Sequence, residues 1–212
     1  HGLWDVASLT NGVGALHHAE SAPVVRVPLN DFALVSRALD IGAEAIIAPM
    51  INSPADALRF ASAAKYPPLG ERSWGPLRAM ALQSPRTAPV DYMREANDGT
   101  LAFAMVETAT ALACVDTIAS TPGIDGLFVG PYDLATALSG GSAQDVQAAQ
   151  VEQAIDTICA AAKKADKIPG IYCRDAESAV AIAKRGYRFV IAGNDQTTLR
   201  SATVAQLKAL KS

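Results

Sequence analysis

Short apolar runs punctuate the chain at Pro23–Val27, Ala45–Pro49, Leu101–Val106, Gly126–Val129, Pro169–Tyr172 and Arg188–Ala192. Each is apolar on both faces and is followed by a helical pattern, which predicts six βα units with parallel strands buried on both sides. Helices are predicted over Asp31–Asp40, Ser53–Ala64, Ala109–Ser120, Gln144–Lys164 and Asp175–Arg185. Ser53 is placed as an N-cap with Pro54 at the first helical position, and Gly186 as the C-cap after Arg185. The terminal stretch Thr197–Leu210 is amphipathic and suited either to covering the bottom of a barrel or to reaching a neighbouring subunit. Tyr66–Pro89 shows neither period and reads as one long loop; its first half, Tyr66–Arg78, is rich in Pro and Gly and carries Arg72, Trp74 and Arg78. Loops of this length in compact domains are usually functional or disordered, so the segment reads either as an ordered surface excursion or as part of the active site or a subunit contact.

A (β/α)8 barrel has eight such units in about 250 residues, and one β-α-β segment takes about 30 or more. The chain has 212 residues, so the deficits in length and in strands agree. The pattern predicts an α/β fold, a (β/α)8 TIM-type barrel lacking its first β-α-β segment, in a single domain over residues 1–212. The first strand, first helix and second strand are expected upstream of His1. A flavodoxin-like open sheet, the rival, needs five strands and no loop such as Tyr66–Pro89.

Two acids carry the chemistry. Glu107 closes the run Leu101–Val106, and Asp133 lies in the Gly130-Pro131-Tyr132-Asp133 turn after Gly126–Val129. Both strand ends belong on the loop face, where ligand binding concentrates. Two hard oxygen ligands there suggest a divalent metal with positions open to substrate; the plainer alternative is a pair of helix caps. Arg26 sits in a run of valines, where an arginine is costly without a partner, so it pairs with an acid inside the barrel or serves a ligand. Past Gly130 and Pro131, the backbone N–H groups of Tyr132 and Asp133 open a helix, and a helix N-terminus favours an anion. His17-His18 with Glu20 has the wrong spacing for one helical face and reads as a solvated helix end. No lysine stands clearly at a strand end, which argues against a Schiff-base mechanism.

Composition narrows the field. A net charge of −3 with no long basic run argues against nucleic acid as a partner, and Glu44 and Glu107 break the apolar stretches well short of a membrane span. No signal-peptide pattern is visible. Cys114, Cys159 and Cys173 lack CxxC spacing and read as small core residues in a reducing, cytoplasmic compartment.

The combined motifs resemble the HpcH/HpaI aldolase family, metal-dependent class II pyruvate aldolases related to citrate lyase β-type enzymes. The matching segments are His1-Gly2, Pro23-Val24-Val25-Arg26-Val27-Pro28, Gly42-Ala43 leading to Ala48-Pro49-Met50, Tyr66-Pro67-Pro68 through Gly75-Pro76, Val106-Glu107-Thr108, Pro122 through Pro131 with Asp133-Leu134, and Gly186 through Val190. They cover nearly the whole chain. The resemblance implies cleavage of 4-hydroxy-2-oxoacids to pyruvate and an aldehyde through a metal-bound pyruvate enolate. It implies Glu107 and Asp133 as ligands of Mg²⁺, Mn²⁺ or Co²⁺, and Arg26 on the substrate's keto oxygen. The pyruvate carboxylate is expected at Gly130, Pro131, Tyr132 and Asp133. His1 matches the acid/base histidine, with Asp40 as its candidate carboxylate partner, possibly from another subunit. A homo-oligomer, a hexamer or trimer of dimers whose pairs exchange a terminal helix, is also implied. Met105 stands where many members carry Gln, which removes a hydrogen-bonding group next to Glu107. The enzyme rival is a citryl- or malyl-CoA lyase, which needs a phosphate-binding surface that only the Arg72–Arg78 loop offers. The non-enzyme rival is an inactive barrel acting as a scaffold.

Overall fold

The structure, a computed structural model, describes residues 4–83 and 88–210. Helix α1 (Val6–His18) leads into β1 (Val24–Arg26), α2 (Phe32–Ile41), β2 (Ala45–Ala48) and α3 (Pro54–Ala64). Two further helices, α4 (Leu77–Gln83) and α5 (Pro89–Gly99), precede β3 (Leu101–Val106), α6 (Ala109–Ala113), α7 (Val115–Ala119) and β4 (Gly126–Val129). The chain continues through α8 (Pro131–Leu138), α9 (Ala149–Lys164), β5 (Ile168–Cys173), α10 (Ala176–Lys184), β6 (Phe189–Ala192) and α11 (Asp195–Ala209).

The six strands form one parallel sheet in sequence order, and all six fall on the apolar runs, but β1 and β6 hold no fully buried residue, against the expectation of burial on both sides. The sheet is a curled half-barrel. Across a flat sheet the side chains of β3 and β6 would lie about 14 Å apart, three strand spacings; instead the Phe103 and Phe189 rings meet at 4.8 Å. The concave face buries Ala45, Ile47, Phe103, Met105 and Phe128. The larger core lies between the convex face and the helices, where Ile46, Ala104, Leu127 and Ile171 meet Leu39, Phe60, Ile118 and Ile158. Among the described residues β1 and β6 each pair on one side only.

Caps set the helix boundaries. Asp31, Ser53 and Asp175 sit at N-caps and accept from Leu34, Asp56 and Ser178 N–H respectively, so Asp31 precedes its helix rather than opening it. Four expectations are corrected. Ala109–Ser120 is two short helices, because the backbone leaves helical geometry at Cys114, whose carbonyl accepts from the Thr117 hydroxyl at 2.7 Å. The segment 144–148 is not helical: Asp145 accepts from Gln147 N–H at 2.9 Å, a side-chain turn that delays α9 to Ala149. The stretch 66–89 is not one loop, since α4 starts at Leu77 with Met80 N–H donating to Pro76 O. His17 is not solvated; its Nε2 is 2.8 Å from Gly42 O and its Nδ1 3.8 Å from Glu44. The terminal helix is present, but none of its residues is buried.

At the N-terminal edge of the sheet Lys65, 1% exposed, is fully enclosed. Its ammonium donates to Asn97 O and Thr100 O, both at 2.6 Å, and pairs with Asp125 at 2.7 Å. Asp125 also accepts from Ala102 N–H, tying the starts of β3 and β4 together.

Candidate active site at the C-terminal edge of the sheet

In a parallel sheet every strand ends on the same side, so Arg26, the last residue of β1, Glu107, the first after β3, and Asp133, in the first turn of α8, gather at one edge. Arg26 is in register with Ile47 and therefore shares the concave face. Glu107 continues the inward series Phe103, Met105. Arg26, set among valines at the last position of β1, is exposed. It forms no ion pair among the described residues, so the expected alternative of a partner acid inside the barrel is not what holds it.

Glu107 is only 1% exposed. One carboxylate oxygen, Oε1, accepts from Met50 N–H at 2.8 Å; the other, Oε2, is buried and meets no hydrogen-bond donor among the described residues. Its carboxyl is raised to about 7, chiefly by burial and further by the neighbouring Asp133 carboxyl, against the opposing pull of the Met50 N–H and the Arg26 charge. Asp133 is exposed at the first turn of α8 and shares its space with Glu107. Gly130 makes room for Glu107 and Met105: a Cβ there would lie 2.5 Å from Glu107 Oε2 and 2.5 Å from Met105 Cε. Met105 forms the apolar floor below Glu107.

An enclosed carboxylate oxygen with no donor, facing a second carboxylate, is electrostatically unfavourable unless a proton or cation lies between them. The donor set is all oxygen, which suits a hard divalent ion. No group of three or more His, Cys, Asp or Glu side chains suited to a metal occurs among the described residues, so Glu107 and Asp133 would supply two ligands and leave the other positions open. Pro131 occupies the first helical position of α8 and Gly130 caps it without a side-chain bond, which leaves Tyr132 and Asp133 N–H directed at the site.

Asp40 is not part of this group. It lies in the last turn of α2, at the opposite edge of the sheet, where it accepts from Arg72 at 2.6 Å. The Arg72 side chain is fully enclosed and stacks at 4.5 Å over the Tyr66 ring, with Trp74 beside Tyr66 and Tyr92. The long loop is thus a folded cluster. Arg72 Nε and Nη1 form no geometrically good hydrogen bond among the described residues; the Tyr66 ring beneath the guanidinium and the nearby Tyr92 hydroxyl supply compensating contacts. Arg78 donates to Thr10 O at 3.0 Å. His1 lies outside the described residues.

The sequence gives no warning of the segment that orients Glu107. Met50 adopts φ +55°, unusual for a side chain of this size, and only its place straight after β2 hints at a role. Beside the site, a cleft of about 360 Å³ between α8, α9, β5 and α10 is lined by Pro131, Tyr132, Tyr172, Cys173 and Arg174. The cysteines are unpaired thiols.

Residues 4–202 match the family described as HpcH/HpaI aldolase/citrate lyase. The hydroxypyruvate/pyruvate aldolase of Rhizorhabdus wittichii is 37% identical over 199 residues, 92% of this chain and 77% of that protein. The 5-keto-4-deoxy-D-glucarate aldolase of Klebsiella pneumoniae is 35% identical over 211 residues, 100% of this chain and 80% of that one. Among solved structures, an HpcH/HpaI aldolase from Desulfitobacterium hafniense superposes with a TM-score of 0.88 at 27% identity, covering 100% of this chain and 80% of its own.

Proposed function

The chain belongs to the HpcH/HpaI aldolase/citrate lyase family, and from that premise we propose a divalent-metal-dependent aldolase that cleaves 4-hydroxy-2-oxoacids to pyruvate and an aldehyde, or runs the condensation in reverse. The observation that carries this reading is the buried, unpartnered Glu107 Oε2 facing Asp133. These two carboxylates would hold Mg²⁺, Mn²⁺ or Co²⁺, which supplies Lewis-acid stabilisation to an enolising 2-oxoacid.

The chain's own residues do the rest. Tyr132 and Asp133 N–H, at the start of α8 behind Gly130 and Pro131, receive the substrate carboxylate. Arg26 sets a fixed positive charge near Glu107, where negative charge develops on the keto oxygen. In the cleavage direction the 4-hydroxyl proton leaves to a base, the C3–C4 bond breaks to release the aldehyde, and C3 regains a proton to give pyruvate. His1 is proposed as that acid/base group. Asp40 of this chain sits at the far edge, so its pairing with His1 would come from Asp40 of the partner subunit. A homo-oligomer is proposed on the same grounds: Leu199, Val204, Leu207 and Leu210 of the unburied terminal helix and its end are exposed, and a second copy would cover them. The domain is proposed as one barrel over residues 1–212, completed to eight strands by a further β-α-β segment. A cytoplasmic location accords with the free thiols. No helix among the described residues is long and apolar enough to cross a membrane.

The CoA-lyase alternative loses its phosphate cluster, because Arg72 is enclosed and engaged by Asp40. The test is proton NMR of pyruvate methyl exchange in D₂O. Exchange that requires Mg²⁺ or Mn²⁺ and stops with EDTA supports the enolate chemistry; no exchange in a folded, metal-binding sample favours the scaffold alternative.

A further inference from the structure

Glu107 is held by a neighbouring loop rather than by its own strand. Three consecutive residues after β2 run along the end of β3. Met50 N–H donates to Glu107 Oε1 at 2.8 Å, Ile51 N–H donates to Met105 O at 3.2 Å, and Asn52 Oδ1 accepts from the Thr108 hydroxyl at 2.5 Å. Asn52 is engaged at its backbone too: its N–H donates to Asp56 at 3.2 Å and its carbonyl accepts from the Cys114 thiol at 3.4 Å. The strap is therefore anchored at Asn52, beyond the residue that touches Glu107.

Met50 needs that anchor. A φ of +55° is costly for a side chain with a Cβ and persists only when the surroundings over-determine it. Its own side chain is exposed and contributes little to fixing the backbone. The Thr108 bond also spans from the β2 loop to the residue directly after Glu107, so it couples the position of the donor to the position of the carboxylate.

We propose that Asn52 is a positioning residue for Glu107: through Thr108 it fixes the strap whose Met50 N–H occupies Oε1 and leaves Oε2 as the free oxygen. The consequence for metal affinity rests on the function proposed above; the positioning itself does not.

Asn52→Ala removes the acceptor while leaving the Thr108 hydroxyl free to cap α6 through Ala111 N–H. In metal-free protein, amide hydrogen exchange at Met50 is expected to quicken about tenfold, the scale of one lost hydrogen bond. The Mn²⁺ dissociation constant, read by the electron paramagnetic resonance of free Mn²⁺, is expected to rise about tenfold with the melting temperature little changed. Thr108→Ser, which keeps the hydroxyl, is expected to leave both readouts near wild type. Unchanged Met50 protection in Asn52→Ala overturns the proposal, as does lost protection with unaltered Mn²⁺ affinity in a wild type that binds the ion. A wild type that does not bind Mn²⁺ sinks the metal reading instead, and the exchange arm still decides whether Asn52 holds the strap.

Discussion

The two edges of the sheet each enclose a charged side chain, and they treat it in opposite ways. At the N-terminal edge the Lys65 ammonium has three oxygen partners, two backbone carbonyls and Asp125, so all three of its N–H donors are used. At the C-terminal edge Glu107, equally buried, has a donor on one oxygen, none on the other and a second carboxylate nearby. The lysine's enclosure is compensated within the chain. The glutamate's is not, so its charged form is costly in the fold unless a proton or a cation lies between it and Asp133. Burial alone does not distinguish a structural charge from a functional one; the completeness of its partners does.

Substitutions at the two edges should therefore diverge. Glu107→Gln is expected to reduce metal-dependent pyruvate exchange by at least about a thousandfold, roughly 4 kcal/mol in the barrier, while leaving the metal-free protein as stable as wild type or more so. A variant that keeps wild-type exchange at saturating metal removes Glu107 from the site. Lys65→Met should do the reverse, costing about 3 kcal/mol in denaturant unfolding because Asp125 loses its cation, with exchange per folded molecule retained. Full stability in Lys65→Met would erase the contrast between the edges.

Arg26→Ala is expected to lower exchange about a hundredfold, roughly 2.7 kcal/mol, with Mn²⁺ affinity largely intact. Equal losses in affinity and exchange would make Arg26 a general electrostatic contributor rather than a group aimed at substrate. The smallest effect belongs to Asp175, half-buried at the N-cap of α10, whose bonds to the Ser178 hydroxyl and N–H and to Arg174 hold its carboxyl at about 2. Because the folded value lies below the unfolded one, its contribution is present above about pH 4 and fades as pH falls through about 2. Acid titrations of wild type and Asp175→Asn followed by circular dichroism should differ at pH 5 and converge near pH 2; a constant gap would show that the carboxylate's charge is immaterial.

The strands were legible because a run such as Ala45–Ala48 or Gly126–Val129 is buried on both faces and admits no polar residue. Caps were legible where side-chain chemistry is local, as at Ser53 and Asp175. The failures all involve contacts distant in sequence or competition within a turn. Tyr66 gives the Pro-rich segment a small core only because Ala79, Met80, Tyr92 and Ala96 meet it in space, with exposed Trp74 packed against the two tyrosine rings. The Asp145 side chain displaces helix over a stretch with good helical propensity. Lys65 was not marked from sequence at all, because its burial depends on Asn97, Thr100 and Asp125 converging on it from 32 or more positions away. Of the site, the strand-end acids and Arg26 could be marked from pattern, whereas Asn52 acts through Thr108, 56 positions away, and a left-handed Met50 leaves no trace in composition.

Gly130 has a consequence for anyone who would redesign this site. The space a methyl group would need there is already taken by Glu107 Oε2 and Met105 Cε, so even alanine, the smallest change, forces the carboxylate or the floor to move. Met105 has the opposite character: an unbranched side chain in the same small volume, able to be exchanged for others of like size. A library that holds residue 130 constant and places its diversity at 105 would vary the floor of the site without first displacing the Glu107 carboxylate.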